Sequence, residues 1–354
     1  MSTILKCGLF SCQKHFNQRE IMKIIALEEH LSSKTIGAAV AKTIGEAYPY
    51  AQQFMHPAPA DAPSVPDLFE LGERRIEELD KAGIDMEVVS YTNPTQWLKG
   101  DEAVTLAKQA NDTLSEAVKP YPDRFRAFAT LPWNDPTAAA DELRRTVNEL
   151  GFVGTLISGR PQTGNVFLDD KMYYPVWEAL TELDLPVYIH PNYTSVDAVD
   201  AYYRGLNDQL DTILSSYGYG WHYEAGIQVI RMILAGVFEK FPTLKVISGH
   251  WGEMVPYFLY RLDQMFKPEV TGLSDTISNI YKKHVWISPS GLYDNDALQY
   301  CVNKLGIDRL VFSADWPYVP MTDARAFVDN APLSEADKEK FSHLTAEKLL
   351  HITE

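Results

Sequence analysis

Eight short runs rich in β-branched and aromatic residues, each bounded by turn residues, recur along the chain and most constrain its fold. They are 23–27 (KIIAL), 86–92 (MEVVSYT), 124–131 (RFRAFATL), 152–158 (FVGTLIS), 186–190 (PVYIH), 245–248 (KVIS), 285–288 (VWIS) and 309–313 (RLVFS). Most are separated by a helical pattern. Asp101 can cap a helix whose apolar face is Val104, Ala107, Ala110, Leu114 and Ala117, a 3.6-residue repeat. Asp135-Pro136 predicts the next, a cap and first-turn proline ahead of Leu143, Val147 and Leu150, with Gly151 as the stop. Stretches 221–238 and 253–266 are long enough for two more. Strands that read as near-continuous apolar runs and alternate with helices suit a parallel sheet covered on both sides, and eight of them suit a closed (β/α)8 TIM barrel. An open doubly wound sheet is the alternative, but it usually carries a glycine-rich phosphate turn after its first strand. Here that strand runs into Leu27-Glu28-Glu29-His30.

The barrel reading assigns residues 22–354 to a single α/β domain with inserted loops. Residues 1–21 become an N-terminal extension, because Met22 directly precedes the first run and the segment lacks the apolar stretch of a secretory signal. A transit peptide is the other reading of that segment. Two connections exceed the usual βα loop and predict lids or inserted elements: 48–66, with Pro57, Pro59, Pro63 and Pro66 among its residues, and 192–220, rich in Tyr and Asp.

Composition narrows the partners. A formal charge of -16 repels nucleic-acid phosphates and anionic lipid surfaces, so neither is expected as a partner. A small anionic substrate then needs local positive charge, for which a bound cation is the obvious source. Cys7, Cys12 and Cys301 are too few for a disulfide framework and fit a reducing, cytoplasmic setting. No apolar run approaches the roughly 20 residues that span a bilayer.

In a barrel the active site gathers at the carboxyl ends of the strands. There the sequence places Glu28-Glu29-His30, His190, Gly249-His250 and Ala314-Asp315. Glu28 and His30, two residues apart in an extended segment, project to one side, with Glu29 pointing away. Each residue has an ordinary structural explanation: His190 as a buried imidazole on a backbone carbonyl, Asp315 as a turn or cap residue. Those explanations leave unaddressed why all of them fall at the same end, whereas mixed imidazole and carboxylate donors with an open position hold catalytic divalent ions. His250 can exchange protons near neutral pH, and Glu253 either orients it or merely opens a helix.

The segments Ala26-Leu27-Glu28-Glu29-His30, Leu150-Gly151-Phe152-Val153-Gly154, Val187-Tyr188-Ile189-His190-Pro191, Gly249-His250-Trp251-Gly252-Glu253 and Phe312-Ser313-Ala314-Asp315-Trp316-Pro317 resemble the amidohydrolase superfamily. The resemblance is to its metal-dependent decarboxylase branch, which includes aminocarboxymuconate semialdehyde decarboxylase and the dihydroxybenzoate decarboxylases, and runs from about residue 22 to 352. The superfamily usually opens with His-x-His; Glu28-x-His30 looks like the substitution found in the hydroxybenzoate decarboxylases. The resemblance implies that Glu28, His30, His190 and Asp315 ligate one divalent ion, zinc or manganese, with His250 and Glu253 beside its open face and no organic cofactor.

On that basis the expected reaction is non-oxidative decarboxylation of an ortho-hydroxybenzoate-type acid, with Asp315 delivering a proton to the ring and His250 and Glu253 assisting. Arg261 is a candidate carboxylate partner that could reach a neighbouring subunit, or else forms a surface salt bridge. Tyr91, Trp316 and aromatics of 192–220 are candidate pocket walls. A homodimer or homotetramer is expected from the family. The alternatives are a metal-dependent hydrolase or hydratase acting on a lactone, amide or unsaturated acid, and a barrel that has lost catalysis.

Overall fold

The computed structural model describes residues 22–50 and 65–353. Seven strands form there: β1 (Ile25–Leu31), β2 (Met86–Tyr91), β3 (Phe125–Ala127), β4 (Thr155–Ser158), β5 (Pro186–His190), β6 (Lys245–Ser248) and β7 (Val285–Ile287). All pairings are parallel, in two ladders ordered β1-β2-β3 and β4-β5-β6-β7. Single bridges join the ladders into a ring: Ala129 with Thr155, Ile287 with Leu310, and Ala26 with Phe312. The result is the closed barrel that the alternation predicts.

Two of the runs depart most from the sequence expectation. The run 124–131 pairs regularly only at Phe125–Ala127, and 309–313 forms no ladder at all. The latter is confined between a turn at Ile307–Arg309 and a left-handed residue, Asp315, at φ 62. It still closes the ring, because Val311 N donates to Ile287 O at 3.0 Å and Leu27 N to Phe312 O at 3.1 Å.

Helices wrap the ring much as the periodicity predicts. Asp135 caps the helix Pro136–Leu150 by accepting from Ala138 N, and Gly151 ends it at φ 73. The Gly100–Val118 helix buries Ala103, Ala107, Ala110 and Leu114, but Lys99 holds its cap position. Asp101 lies instead in the first turn, where its charge favours the helix dipole. The stretch 221–238 divides into Gly220–Leu234 and Val237–Lys240. The connection 192–220 is an inserted element with helical segments at Val196–Ala198, Val199–Tyr203 and Asp208–Ser215. Most of the Pro-rich connection, residues 51–64, and the proposed extension 1–21 lie outside the described residues. No helix among the described residues is long and apolar enough to cross a membrane.

Two apolar layers set the side-chain directions. Ile25, Leu27, Met86, Val88, Leu156, Tyr188 and Ile247 form the inner cluster, closed at one end by Leu349 and Leu350 of the last helix. Ala26, Val89, Ile157, Val187, Ile189 and Val246 face outward into the layer shared with the helices. Each fully buried aliphatic residue contributes about 1.5–3 kcal/mol. The alternation breaks once in β1: Ala26 pairs with Glu87 but Glu29 with Val89, so β1 carries one extra residue. This bulge leaves Leu27 and Glu28 both facing inward and turns Glu29 out.

Candidate metal centre and active site

Glu28 emerges from the bulge into the barrel mouth with its side chain fully buried. Its Oε2 accepts hydrogen bonds from the Tyr188 and Ser290 hydroxyls. Oε1 has no hydrogen-bond partner among the described residues and lies 3.4 Å from His190 Nε2. Burial raises the Glu28 carboxyl above its ordinary range, against the pull of His250. A buried carboxylate oxygen without a donor is costly unless something positive meets it.

The neighbouring groups are arranged to receive that positive charge. Ser158 Oγ lies 3.0 Å from His190 Nδ1, leaving Nε2 facing Glu28. Burial, then the nearby His30, hold His190 well below the usual imidazole value, so its lone pair is available. His30 Nε2 lies 3.0 Å from Asp315 Oδ1. One donor atom from each of Glu28, His30, His190 and Asp315 falls within 4.8 Å of the others. Such a set, with hydroxyl groups behind its glutamate and one histidine, fits a divalent ion held by mixed nitrogen and oxygen donors. Gly249 is required beside it: a Cβ there would stand 2.9 Å from both Glu28 Oε2 and the Tyr188 hydroxyl.

Beyond β6 the backbone turns left-handed at His250 (φ 46), Trp251 (φ 58), Gly252 (φ 79), Glu253 (φ 52) and Met254 (φ 66). Non-glycine residues rarely adopt this region, at a cost of roughly 1–2 kcal/mol each. The turn is held by Ser290 Oγ on His250 N at 2.8 Å, by Ser288 O on Trp251 N at 2.8 Å and by Leu292 O on the Trp251 indole at 2.8 Å. It brings His250 Nδ1 to 2.7 Å from Glu253 Oε1 and His250 Nε2 to 3.7 Å from Asp315 Oδ2. Glu253 therefore orients His250, and it precedes the Val255–Met265 helix instead of forming its first turn. Burial opposes charge on His250, yet Glu253 and Glu28 together raise it well above the usual imidazole value. On Asp315 burial is likewise outweighed: hydrogen bonds to His250 and His30 hold its carboxyl below the ordinary range.

The sequence profile of the family described as amidohydrolase matches residues 55–352. The chain belongs to the amidohydrolase family. It is 33% identical over 297 residues to a gamma-resorcylate decarboxylase from a Polaromonas species, covering 80% of this chain and 89% of that one. A decarboxylase of Emericella nidulans is 32% identical over 337 residues, covering 93% and 97% of the two chains. The crystal structure of 5-carboxyvanillate decarboxylase from Novosphingobium aromaticivorans, complexed with manganese and 4-hydroxy-3-methoxy-5-nitrobenzoic acid, superposes with a TM-score of 0.84 at 33% identity, over 94% of this chain and 96% of that one.

In this amidohydrolase the other residues singled out by the sequence are dispersed. Tyr91, at the end of β2, packs with the Ile36, Val40 and Leu98 cluster. The alternation that turns Val88 inward turns Tyr91 outward, so it does not wall the barrel mouth. Trp316 is half-buried against the outer core, and its backbone N–H donates to Glu29 Oε2 at 3.0 Å. Arg261 is exposed on the Val255–Met265 helix and does not join the cluster within one chain. Tyr193, from the inserted connection, packs 5.5 Å from Tyr48 and 6.0 Å from Trp97 between ring centroids.

Residues not foreseen complete the site. Tyr318 brings its ring centroid to 5.3 Å from His30, supplying the aromatic neighbour expected of Tyr91. Tyr188 and Ser290 hold Glu28, and His222 reaches Glu253. Inward alternation along β5 could have revealed Tyr188, two residues before His190; His222 and Tyr318 carry no comparable local signal.

Proposed function

We propose that this chain is a metal-dependent carboxy-lyase acting on an ortho-hydroxybenzoate-type aromatic acid, without an organic cofactor. The observation that carries the reading is the unpartnered Glu28 Oε1 facing His190, with His30 and Asp315 closing the set. Those four residues would hold the divalent ion, with manganese favoured over zinc by its presence in the carboxyvanillate decarboxylase relative. A divalent ion held there would supply Lewis acidity, favouring the phenolate form of an ortho-hydroxy acid and so an electron-rich ring.

Removal of CO2 without prior protonation would leave an aryl carbanion, so one proton must reach the ring carbon before the C–C bond breaks. The balance is one proton gained and one CO2 lost per aromatic carboxylate. His250, kept charged by Glu253, stores that proton at Nε2, 3.7 Å from Asp315. Asp315 is the proposed group that passes it to the ring. Tyr318, beside His30, and the Tyr193 cluster would flank an aromatic substrate at the barrel mouth.

Arg261 lies on the same helix as the exposed Tyr257, Phe258, Tyr260 and Met265. This face supports a homodimer or homotetramer in which Arg261 reaches a neighbouring substrate carboxylate. A reducing, cytoplasmic location accords with the low cysteine content.

The deciding experiment incubates the manganese-loaded protein with 2,6- and 2,3-dihydroxybenzoate and measures CO2 and the resulting phenol. Stoichiometric CO2 release is expected, abolished in Asp315→Asn. Turnover of a lactone or amide without CO2 would replace the reading with metal-dependent hydrolysis, and full activity in Asp315→Asn would remove that residue as proton donor.

A further inference from the structure

Glu253 is fully buried, and each of its oxygens faces a different imidazole. Oε1 lies 2.7 Å from His250 Nδ1 and Oε2 2.8 Å from His222 Nδ1. His222 comes from the start of the Gly220–Leu234 helix, 31 residues from Glu253 in sequence. Its ring centroid is 4.4 Å from that of His250. One turn further along the same helix face, Gly226 permits this approach, because a Cβ there would strike Glu253 O and stand 3.3 Å from Val255 Cγ2.

The hydrogen bonds fix which nitrogen of His222 donates. A carboxylate oxygen can only accept, so at 2.8 Å His222 Nδ1 carries the proton and donates it to Glu253 Oε2, while Nε2 lies 3.1 Å from both the Trp221 indole N–H and the Tyr217 carbonyl.

We propose that His222 is a positioning residue for the decarboxylation: its Nδ1–H anchors the second oxygen of Glu253 so that the first stays on His250 and holds His250 Nε2 toward Asp315. Without that anchor the carboxylate gains a rotational alternative, and His250 loses its fixed orientation. This inference rests on the proposed role of His250.

The test uses the full-length, manganese-loaded protein and three variants. His222→Phe keeps a ring but removes the donor, and should lower kcat about 10- to 100-fold, the usual effect of losing an orienting partner. KM should stay within about twofold, since His222 does not touch the substrate. His222→Asn places an amide N–H near the former Nδ1 and should recover most of the loss. His250→Gln should be nearly inactive.

Wild-type kcat in His222→Phe, or an equal loss in His222→Asn, overturns the proposal for His222 while leaving His250 intact. Wild-type activity in His250→Gln overturns the reading beneath it. Independently of any variant, 15N-histidine NMR of the wild-type protein should find His222 protonated at Nδ1; a bare Nδ1 refutes the anchoring bond.

Discussion

Glu28 and Glu29 are adjacent, chemically identical and both fully buried, yet they sit in opposite environments. Glu28 faces into the barrel, with hydroxyl donors on one oxygen and none on the other. Glu29 faces out, and both its oxygens are occupied: Oε1 by Ala314 N at 2.8 Å and Oε2 by Trp316 N at 3.0 Å. Nearby, Arg75 donates to Glu87 Oε2 at 2.7 Å and to the His30 carbonyl at 2.9 Å. Burial alone therefore does not distinguish a ligand from a strut. The distinction lies in whether backbone and side-chain donors already satisfy the carboxylate, and here only the inward one keeps an oxygen in reserve for a cation.

The sharpest way to break this contrast is to neutralise each glutamate in turn. Glu28→Gln should lose stoichiometric manganese and at least about 1000-fold in kcat/KM, or roughly 4 kcal/mol, while the far-ultraviolet circular dichroism stays native. Elemental analysis and steady-state kinetics check it. Retained metal and activity would assign Glu28 to the scaffold.

Glu29→Ala should do the reverse. It strands the Ala314 and Trp316 N–H groups, at roughly 1–3 kcal/mol each, so chemical denaturation should show a clear loss of stability. The surviving folded protein should keep its metal stoichiometry. A loss of metal without a loss of stability would erase the proposed division between the two residues.

Metal removal tests the inward carboxylate by another route. With manganese at 100 times its dissociation constant, the folded protein gains about 2.7 kcal/mol, read as a rise in Tm over the chelated form. The sign of the pH dependence follows from Glu28, whose carboxyl is raised by burial. In the chelated protein, protonated Glu28 favours the folded state at low pH, and that contribution is lost as pH rises through its raised value. The ion instead needs the ionised carboxylate. The Tm increment should therefore grow with rising pH and shrink on acidification, as paired thermal scans across pH would record.

A milder change refines the same contrast. Tyr188→Phe removes one hydroxyl from Glu28 Oε2 but leaves Ser290 in place, and should weaken manganese binding about tenfold. Titration calorimetry measures it, and an unchanged affinity would mean that Ser290 alone orients the carboxylate.

Much of this site was legible in the sequence because the barrel turns sequence position into spatial position. His190 ends β5, Asp315 follows the eighth apolar run, and both reach the same rim as Glu28 and His30. Tyr91 was misread because its place at a strand end says nothing about which side of the strand it faces. His222 was missed because it lies within a helical stretch and becomes informative only when Gly226 brings that helix against the His250 turn.

By itself, then, the sequence determined the alternating elements, the closed parallel ring and the set of residues able to meet at its carboxyl end, since these depend on periodicity and chain order. The tertiary structure decided how Glu28, and not Glu29, comes to face into the barrel with an oxygen left without a donor. Alternation counted from inward-facing Ile25 would turn Glu29 into the barrel and Glu28 out of it. The extra residue in β1 reverses that choice. Its position is set by register against β2 and by the closing contacts with Phe312 and Trp316, which come from segments too distant in the chain for any local pattern to specify.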